Sequence, residues 1–262
     1  MQLSIRSFSA YDLPADVFAV LMVEPSLEGP HHRVMEESLR TTQTPRSALV
    51  RDTFGNPQRQ MLLPAGRFSF EFTATVECEP NRAVPNDAPE HRPEELPADV
   101  FSYLLPSRYC QSDRLFRLAI DEFGKLPLGG KRVSEIAAWI RHHVEYRYGT
   151  TDSMTSAYDT VTQRVGVCRD FAHLLVALLR SLSIPARYVS GYALGLEPPD
   201  FHAWVQVYLG GQWHNVDATF DGIRPALVPI AYGRDAADVA MMTLFGGGTF
   251  REQSVEVRQI AP

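Results

Sequence analysis

The stretch Gly166-Val167-Cys168-Arg169-Asp170-Phe171-Ala172, continued by Leu174, Leu175, Leu178, Leu179 and Leu182 and closed by Ser183-Ile184-Pro185, decides how this chain is read. Its leucines recur at helical spacing and Pro185 cannot continue a helix, so it reads as one long helix with Cys168 in the first turn. The free N–H groups and the dipole at a helix N-terminus favour negative charge. That suits a thiolate, the nucleophilic form of cysteine. Cys168 is placed for such a role and lacks only a base.

Two strands follow, 187–192 and 202–209, and Gly210-Gly211 reads as a tight hairpin turn before 212–217. With those glycines as the turn, Leu209 opposes Gln212, and counting back sets Trp204 against Asp217. The side-chain period of two then puts His202, Trp204, Gln206, Tyr208, Trp213, Asn215 and Asp217 on one face. Ala203, Val205, Val207 and Val216 form the other face, which is the core. His202 and Asp217 come out as diagonal neighbours, roughly 7–8 Å apart at the backbone, close enough for a carboxylate to orient an imidazole. The polar, aromatic face is expected to line a cleft. There Trp204, Tyr208 and Trp213 either hold an acyl substrate or pack under the N-terminal part.

The same parity sets other candidates aside. His214 points to the apolar face. His173 lies five residues after Cys168, about 500° around the helix, and faces elsewhere. His142 and His143 are adjacent on a helix and diverge, so they are not expected to share a metal. Asp170 reads as a partner of the helix N-terminus, and Asp221, beyond the strand, as a poorer orienter than Asp217.

Upstream, Phe68, Phe70, Phe72, Ala74, Val76 and Cys78 alternate with polar residues as in a half-buried strand, Cys78 being a core residue. Shorter β-like runs at 3–8, 17–23 and 47–52 suggest an antiparallel sheet or sandwich. Residues 79–97 contain Pro80, Pro85, Pro89, Pro93 and Pro97 without any period and read as an extended linker. Helices are predicted after it. Asp113 caps one that stops at Gly124, and Ser134 precedes Ile136, Ala137, Ile140 and Val144. The segment 225–248, ending in Gly246-Gly247-Gly248, reads as loop-and-turn structure or a flap beside the cleft.

Composition sets the outer bounds. The chain has 262 residues, 45% hydrophobic and 21% charged, as expected for a soluble globular protein with one sizeable core or two modest ones. No stretch approaches the ~20 apolar residues of a membrane span. Met1 to Phe8 carries Arg6 and no apolar run follows, so no signal peptide is read and a cytoplasmic location is expected. Three cysteines, Cys78, Cys110 and Cys168, with no Cys-x-x-Cys spacing, support neither a disulfide framework nor a zinc site. The net charge of −6 comes from residues 1–100, with 9 basic and 15 acidic residues, and neither half reads as a nucleic-acid binder. Only Lys125 and Lys131 among the 25 basic residues are lysines, which poorly supports cross-linking through the chain's own amines. No phosphate-cradling glycine motif is present, and no cofactor or metal is expected.

A cysteine at a helix start, followed by a histidine and an aspartate on adjacent strands, is the papain-like form of the acyl-transfer triad. Four stretches carry a resemblance of the same kind: 166–172; Ile184-Pro185-Ala186-Arg187-Tyr188-Val189-Ser190-Gly191-Tyr192; His202-Ala203-Trp204-Val205; and Trp213-His214-Asn215-Val216-Asp217-Ala218-Thr219. Together they resemble the bacterial transglutaminase-like cysteine peptidase family. Residues 1–100 resemble, more loosely, the β-rich domain that often precedes that core, with Arg51-Asp52 and Gly55-Asn56 in its turn region. Gly233-Arg234-Asp235 and Asp238-Val239 resemble a segment that follows the triad.

The resemblance implies an α+β fold: a papain-like, transglutaminase-like core, with its helical part packed on an antiparallel sheet, behind a β-sandwich-like N-terminal domain. The expected division is 1–78 for the β-rich domain, 79–97 for the linker and 98–262 for the catalytic domain. Cys168 becomes the nucleophile, His202 the general base and then acid, and Asp217 the orienter of the imidazole. Ala218 departs from the family's usual proline without disturbing Asp217 or Thr219. Gln163, five residues before Cys168, resembles the oxyanion-stabilising glutamine of papain-type enzymes. The leading expectation is hydrolysis of a peptide or protein amide through a thioester acyl-enzyme, with no nucleic-acid or membrane partner. The alternatives are transfer of the acyl group to an amine, or a non-catalytic scaffold whose acidic β-rich part engages a partner.

Overall fold

The chain opens with strands β1 (Gln2–Leu13), β2 (Val17–Leu21), β3 (His32–Thr41), β4 (Arg46–Arg51), β5 (Pro57–Leu63) and β6 (Gly66–Cys78). These and all later elements come from a computed structural model that describes residues 1–26 and 31–261. The alternation along β6 does what it predicts: Phe68, Phe70, Phe72 and Val76 are buried, and Cys78 with them. β6 runs antiparallel between β1 and β3, and β5 antiparallel between β2 and β4. β3 escapes a reading by alternation because it is a sheet edge with most of its side chains exposed.

Helices α1 (Ser112–Phe123), α2 (Gly130–His143), α3 (Ala157–Gln163) and α4 (Cys168–Ser181) follow, with short strands β7 (Glu145–Tyr146) and β8 (Val165–Gly166) between them. α1 ends at Gly124 as expected. α2 starts earlier than Ser134, at Gly130, because Gly129 and Gly130 are held by the preceding segment: Gly129 N–H donates to Glu90 and Gly130 N–H to the Ala88 carbonyl. Ser134 therefore sits inside the helix, its hydroxyl on the Gly130 carbonyl. The proline-rich stretch 79–97 is irregular as expected, yet it is docked. Val84 and Ala88 are buried, and Glu90 pairs with buried Arg132 of α2.

The remaining strands are β9 (Ala186–Ala193), β10 (His202–Leu209), β11 (Gln212–Val216), β12 (Leu227–Gly233), β13 (Met242–Phe245) and β14 (Thr249–Ala261). β11, β10, β9 and β12 form an antiparallel sheet in that order, against which α4 packs its leucines. Gly210 and Gly211 adopt φ +57° and +82°, as a tight hairpin turn requires, and the register runs from Leu209↔Gln212 to Val205↔Val216 as counted from the sequence. The segment 225–248 is not loop or flap throughout. β12 is buried along its whole length, so it shows no alternation, and a register shift at Pro229 accommodates a residue that reads as a strand breaker.

Residues 242–261 also depart from the expected division at residue 97. β13 pairs with β2 and β14 with β1, completing the two N-terminal sheets, ordered β13-β2-β5-β4 and β14-β1-β6-β3. The hydrophobic core is correspondingly continuous from Leu3 and Phe72 to Leu175 and Val205. This arrangement is the expected α+β architecture, with the helices on an antiparallel sheet behind a β-rich N-terminal part.

One buried side chain ties the two parts together. Asn56, fully buried in the turn before β5, donates from Nδ2 to the Tyr232 carbonyl at 2.7 Å and accepts the Tyr232 N–H at 2.8 Å. Asp52 holds it in place through Asn56 N–H and Nδ2, each at 2.8 Å. Asn56→Ala removes both hydrogen bonds to the Tyr232 backbone and is expected to cost about 2–4 kcal/mol. Urea denaturation checks this: the midpoint falls with the slope unchanged, and an unaltered midpoint would contradict the bridge.

Candidate active site

Cys168 is the first residue of α4, half-buried, behind an extended Val167. The helix start is closed by Asp170, whose fully buried carboxylate accepts the Val167 N–H at 2.9 Å and pairs with Arg169. Asp170 thus serves the helix N-terminus, as its position suggested. Strand β8 just ahead of the cysteine pairs in parallel with β7, Tyr146 opposite Gly166, and this brings Tyr146 beside the nucleophile candidate. The Tyr146 hydroxyl lies close to the Cys168 backbone N–H. Burial, the Cys168 sulfur and Tyr148 hold the Tyr146 phenol well above its ordinary pKa, so it stays protonated.

His202 opens β10 and Asp217 follows β11, on the same sheet face, as the register required. Their side chains are only 2% and 7% exposed, and His202 Nε2 lies 2.7 Å from Asp217 Oδ2. With Nε2 engaged, Nδ1 is the nitrogen left to meet the Cys168 sulfur. Burial alone would lower the His202 pKa. The hydrogen bond to Asp217, contact with the Cys168 sulfur and the charges of both groups outweigh it and raise the value to about 9.

Asp217 is held by more than the imidazole. Its Oδ1 accepts the Thr219 N–H at 2.9 Å and the Thr219 hydroxyl at 2.6 Å, and its Oδ2 also accepts from Arg224 Nε. Burial pushes the carboxyl up, but these donors and the His202 and Arg224 charges hold it well below the usual carboxylate range. Arg224, which arrives from a loop, has no motif signal in the sequence. Neither does Tyr146, whose link to Cys168 runs through a two-residue strand pairing.

The other sequence candidates fall elsewhere. Asp221 is exposed and pairs with Arg141. His173 is buried between Tyr109 and Tyr188, with ring centroids at 5.0 and 4.9 Å, and accepts the Ala236 N–H; burial and the nearby arginines keep it neutral. His142 and His143 are exposed and bond carbonyls of their own helix. Gln163, the last residue of α3, is exposed, and its side chain forms no hydrogen bond among the described residues.

The cleft aromatics are also different from those expected. Trp204 is 1% exposed, its ring closed over Gly191, where a Cβ would come within 2.6 Å, and its Nε1 donates to Asn215 Oδ1 at 2.9 Å. Tyr208 packs on His91 and Trp213, and Trp213 on Tyr103 and Arg187, at the turn end of the hairpin. The parity was right, but Trp204 is buried, and Tyr208 and Trp213 lie at the far end of that face from His202. At the His202 end a cleft of about 280 Å³ lies between Tyr146, Tyr148, Phe201, Phe220 and the β9–β10 connection.

The sequence family described as the transglutaminase-like superfamily matches residues 120–218, a span that contains Cys168, His202 and Asp217. A candidate cysteine protease from Cytophaga hutchinsonii, known as a crystal structure, is 40% identical and superposes with a TM-score of 0.93 over 100% of this chain and 91% of its own. The chain belongs to the transglutaminase-like superfamily. An uncharacterized Mycobacterium leprae protein is 38% identical to this transglutaminase-like chain over 146 residues, 50% of this chain and 51% of that protein. Human kyphoscoliosis peptidase is 30% identical over 102 residues, 34% of this chain and 15% of that protein. The shared stretch thus spans about half of the mycobacterial relative and far less of the human one.

The His202 shift has a measurable consequence for this transglutaminase-like fold. Between 6.5, the ordinary histidine value, and about 9 the folded state binds a proton that the unfolded state releases. Stability from this site is therefore complete below 6.5 and is lost as pH rises through about 9. NMR titration of the His202 ring should give a midpoint near 9, and His202→Gln should flatten the fall in unfolding free energy across that range. A midpoint near 6.5 would contradict the assignment.

Proposed function

We propose that the chain is a cysteine-dependent hydrolase of amide or peptide bonds that works through a thioester acyl-enzyme on Cys168. The observation that carries this reading is the 2.7 Å hydrogen bond from His202 Nε2 to Asp217 Oδ2, which leaves Nδ1 to serve the sulfur of a cysteine at a helix N-terminus. The Cytophaga relative supports the protease class, and an acyl-transfer triad needs these three groups in these roles.

The steps follow from the groups present. The Cys168 thiolate attacks the scissile carbonyl carbon, and the negative charge moves to the carbonyl oxygen. That oxygen enters between the Cys168 N–H and the Tyr146 O–H, two donors that already lie together. The carbon–nitrogen bond then breaks and the leaving amine takes the Nδ1 proton of His202. Neutral His202 accepts a proton from water as the water attacks the thioester, and the thiolate leaves to restore the starting pair. Asp217 stays ionised throughout and keeps the imidazole oriented. The cleft opens to solvent, which supports water over an amine as the second nucleophile.

Assays on peptide and isopeptide substrates test this. Cys168→Ala should abolish turnover and the acyl-enzyme seen by mass spectrometry. Tyr146→Phe should lower kcat about 10²–10³-fold with little change in KM, the loss typical of one oxyanion donor. Incorporation of a labelled amine into a glutamine-bearing protein without hydrolysis would assign amine transfer instead. A Cys168 that never becomes acylated would assign the scaffold.

A further inference from the structure

The cleft at His202 combines aromatic walls with negative charge. Glu197 and Asp200, both from the β9–β10 connection, line it together with Tyr146, Tyr148, Phe201 and Phe220. The arginine of the same wall, Arg224, is taken up by Asp217 and Thr219. Asp200 is fixed in position: its Oδ1 accepts the Phe201 N–H at 2.8 Å and Gln253 Nε2 at 2.7 Å. Gln253 belongs to β14, so the returning C-terminal strand braces this side of the cleft. Glu197 is exposed and makes no hydrogen bond or ion pair among the described residues. Carboxylates beside aromatic faces attract a cation and repel an anion, and a desolvated ammonium gains from both.

We propose that this cleft selects substrates carrying a primary ammonium group beside the scissile amide, with Glu197 and Asp200 as specificity-determining residues. The inference rests on the reading of Cys168 and His202 as the reactive centre. The ammonium has two chemical sources, a lysine side chain or a free α-amine. Both present the same charged group to the same pair of carboxylates.

The test uses charge-matched alkylating reagents on Cys168, so it needs a reactive thiol but no known substrate. Rates with 2-bromoethylammonium and iodoacetate are each normalised to neutral iodoacetamide and to free cysteine. The cation-to-anion rate ratio should exceed that of free cysteine. It should fall about two- to fivefold in Glu197→Gln, the scale of one exposed charge interaction, and further in Glu197→Lys. Because Glu197 is exposed, both variants keep the packing of the connection, and Asp200→Asn tests the second carboxylate. A ratio that stays within about twofold of wild type in Glu197→Lys overturns the inference even if the protein proves to be a hydrolase. Peptides matched as lysine against norleucine, and as free against acetylated N-terminus, then identify the source. Equal kcat/KM across all four would also overturn it.

Discussion

A carboxylate as deeply buried as Asp217 keeps its charge only where donors meet both oxygens, and here they do. Thr219 supplies two donors to Oδ1, while His202 and Arg224 converge on Oδ2. The ionised carboxylate in turn fixes the His202 ring and favours its protonated form against burial. The orientation of Nδ1 toward Cys168, and with it any proton transfer at the sulfur, depends on that set of donors. Removing Arg224 would leave the imidazole as the one charged partner of this buried anion among the described residues.

The fold delivers these groups through register rather than proximity in sequence. The glycine turn sets β10 against β11, so parity alone brings His202 and Asp217 to one face, and α4 presents Cys168 from the helical side. Asn81, His91 and Tyr103, from the segment after β6, pack on that face at Asn215, Tyr208 and Trp213, and the cleft lies at its His202 end. Asn56 locks β12 to the N-terminal turn by standing in for a strand residue against Tyr232, and Gln253 of β14 braces Asp200 at the cleft. The β-rich part thus braces a wall of the candidate site through Gln253.

What the sequence makes legible is what local periodicity encodes. The leucine spacing of 174–182 and the alternation of 202–217 determine one helix and one hairpin, and these give Cys168, His202 and Asp217 their relative places. Tyr146 is not legible because it reaches Cys168 through the pairing of 145–146 with 165–166, a contact between segments that carry no period. Trp204, Tyr208 and Trp213 have the expected parity, but alternation reports which face a side chain is on, and says nothing of what covers that face. β12 and β14 are hidden for opposite reasons: one is buried on both faces, and the other is largely exposed. The resemblance to the transglutaminase-like family carried the fold class where the periods ran out.

The central claim is that Cys168, His202 and Asp217 behave as one unit, and the pH profile of Cys168 alkylation by iodoacetamide tests it most directly. The account predicts fast labelling well below pH 8 in the wild type, slowed in His202→Ala and in Asp217→Asn at the same pH, with the two variants approaching the profile of a free thiol. A free-thiol profile in all three proteins would contradict it and leave the constellation a structural one.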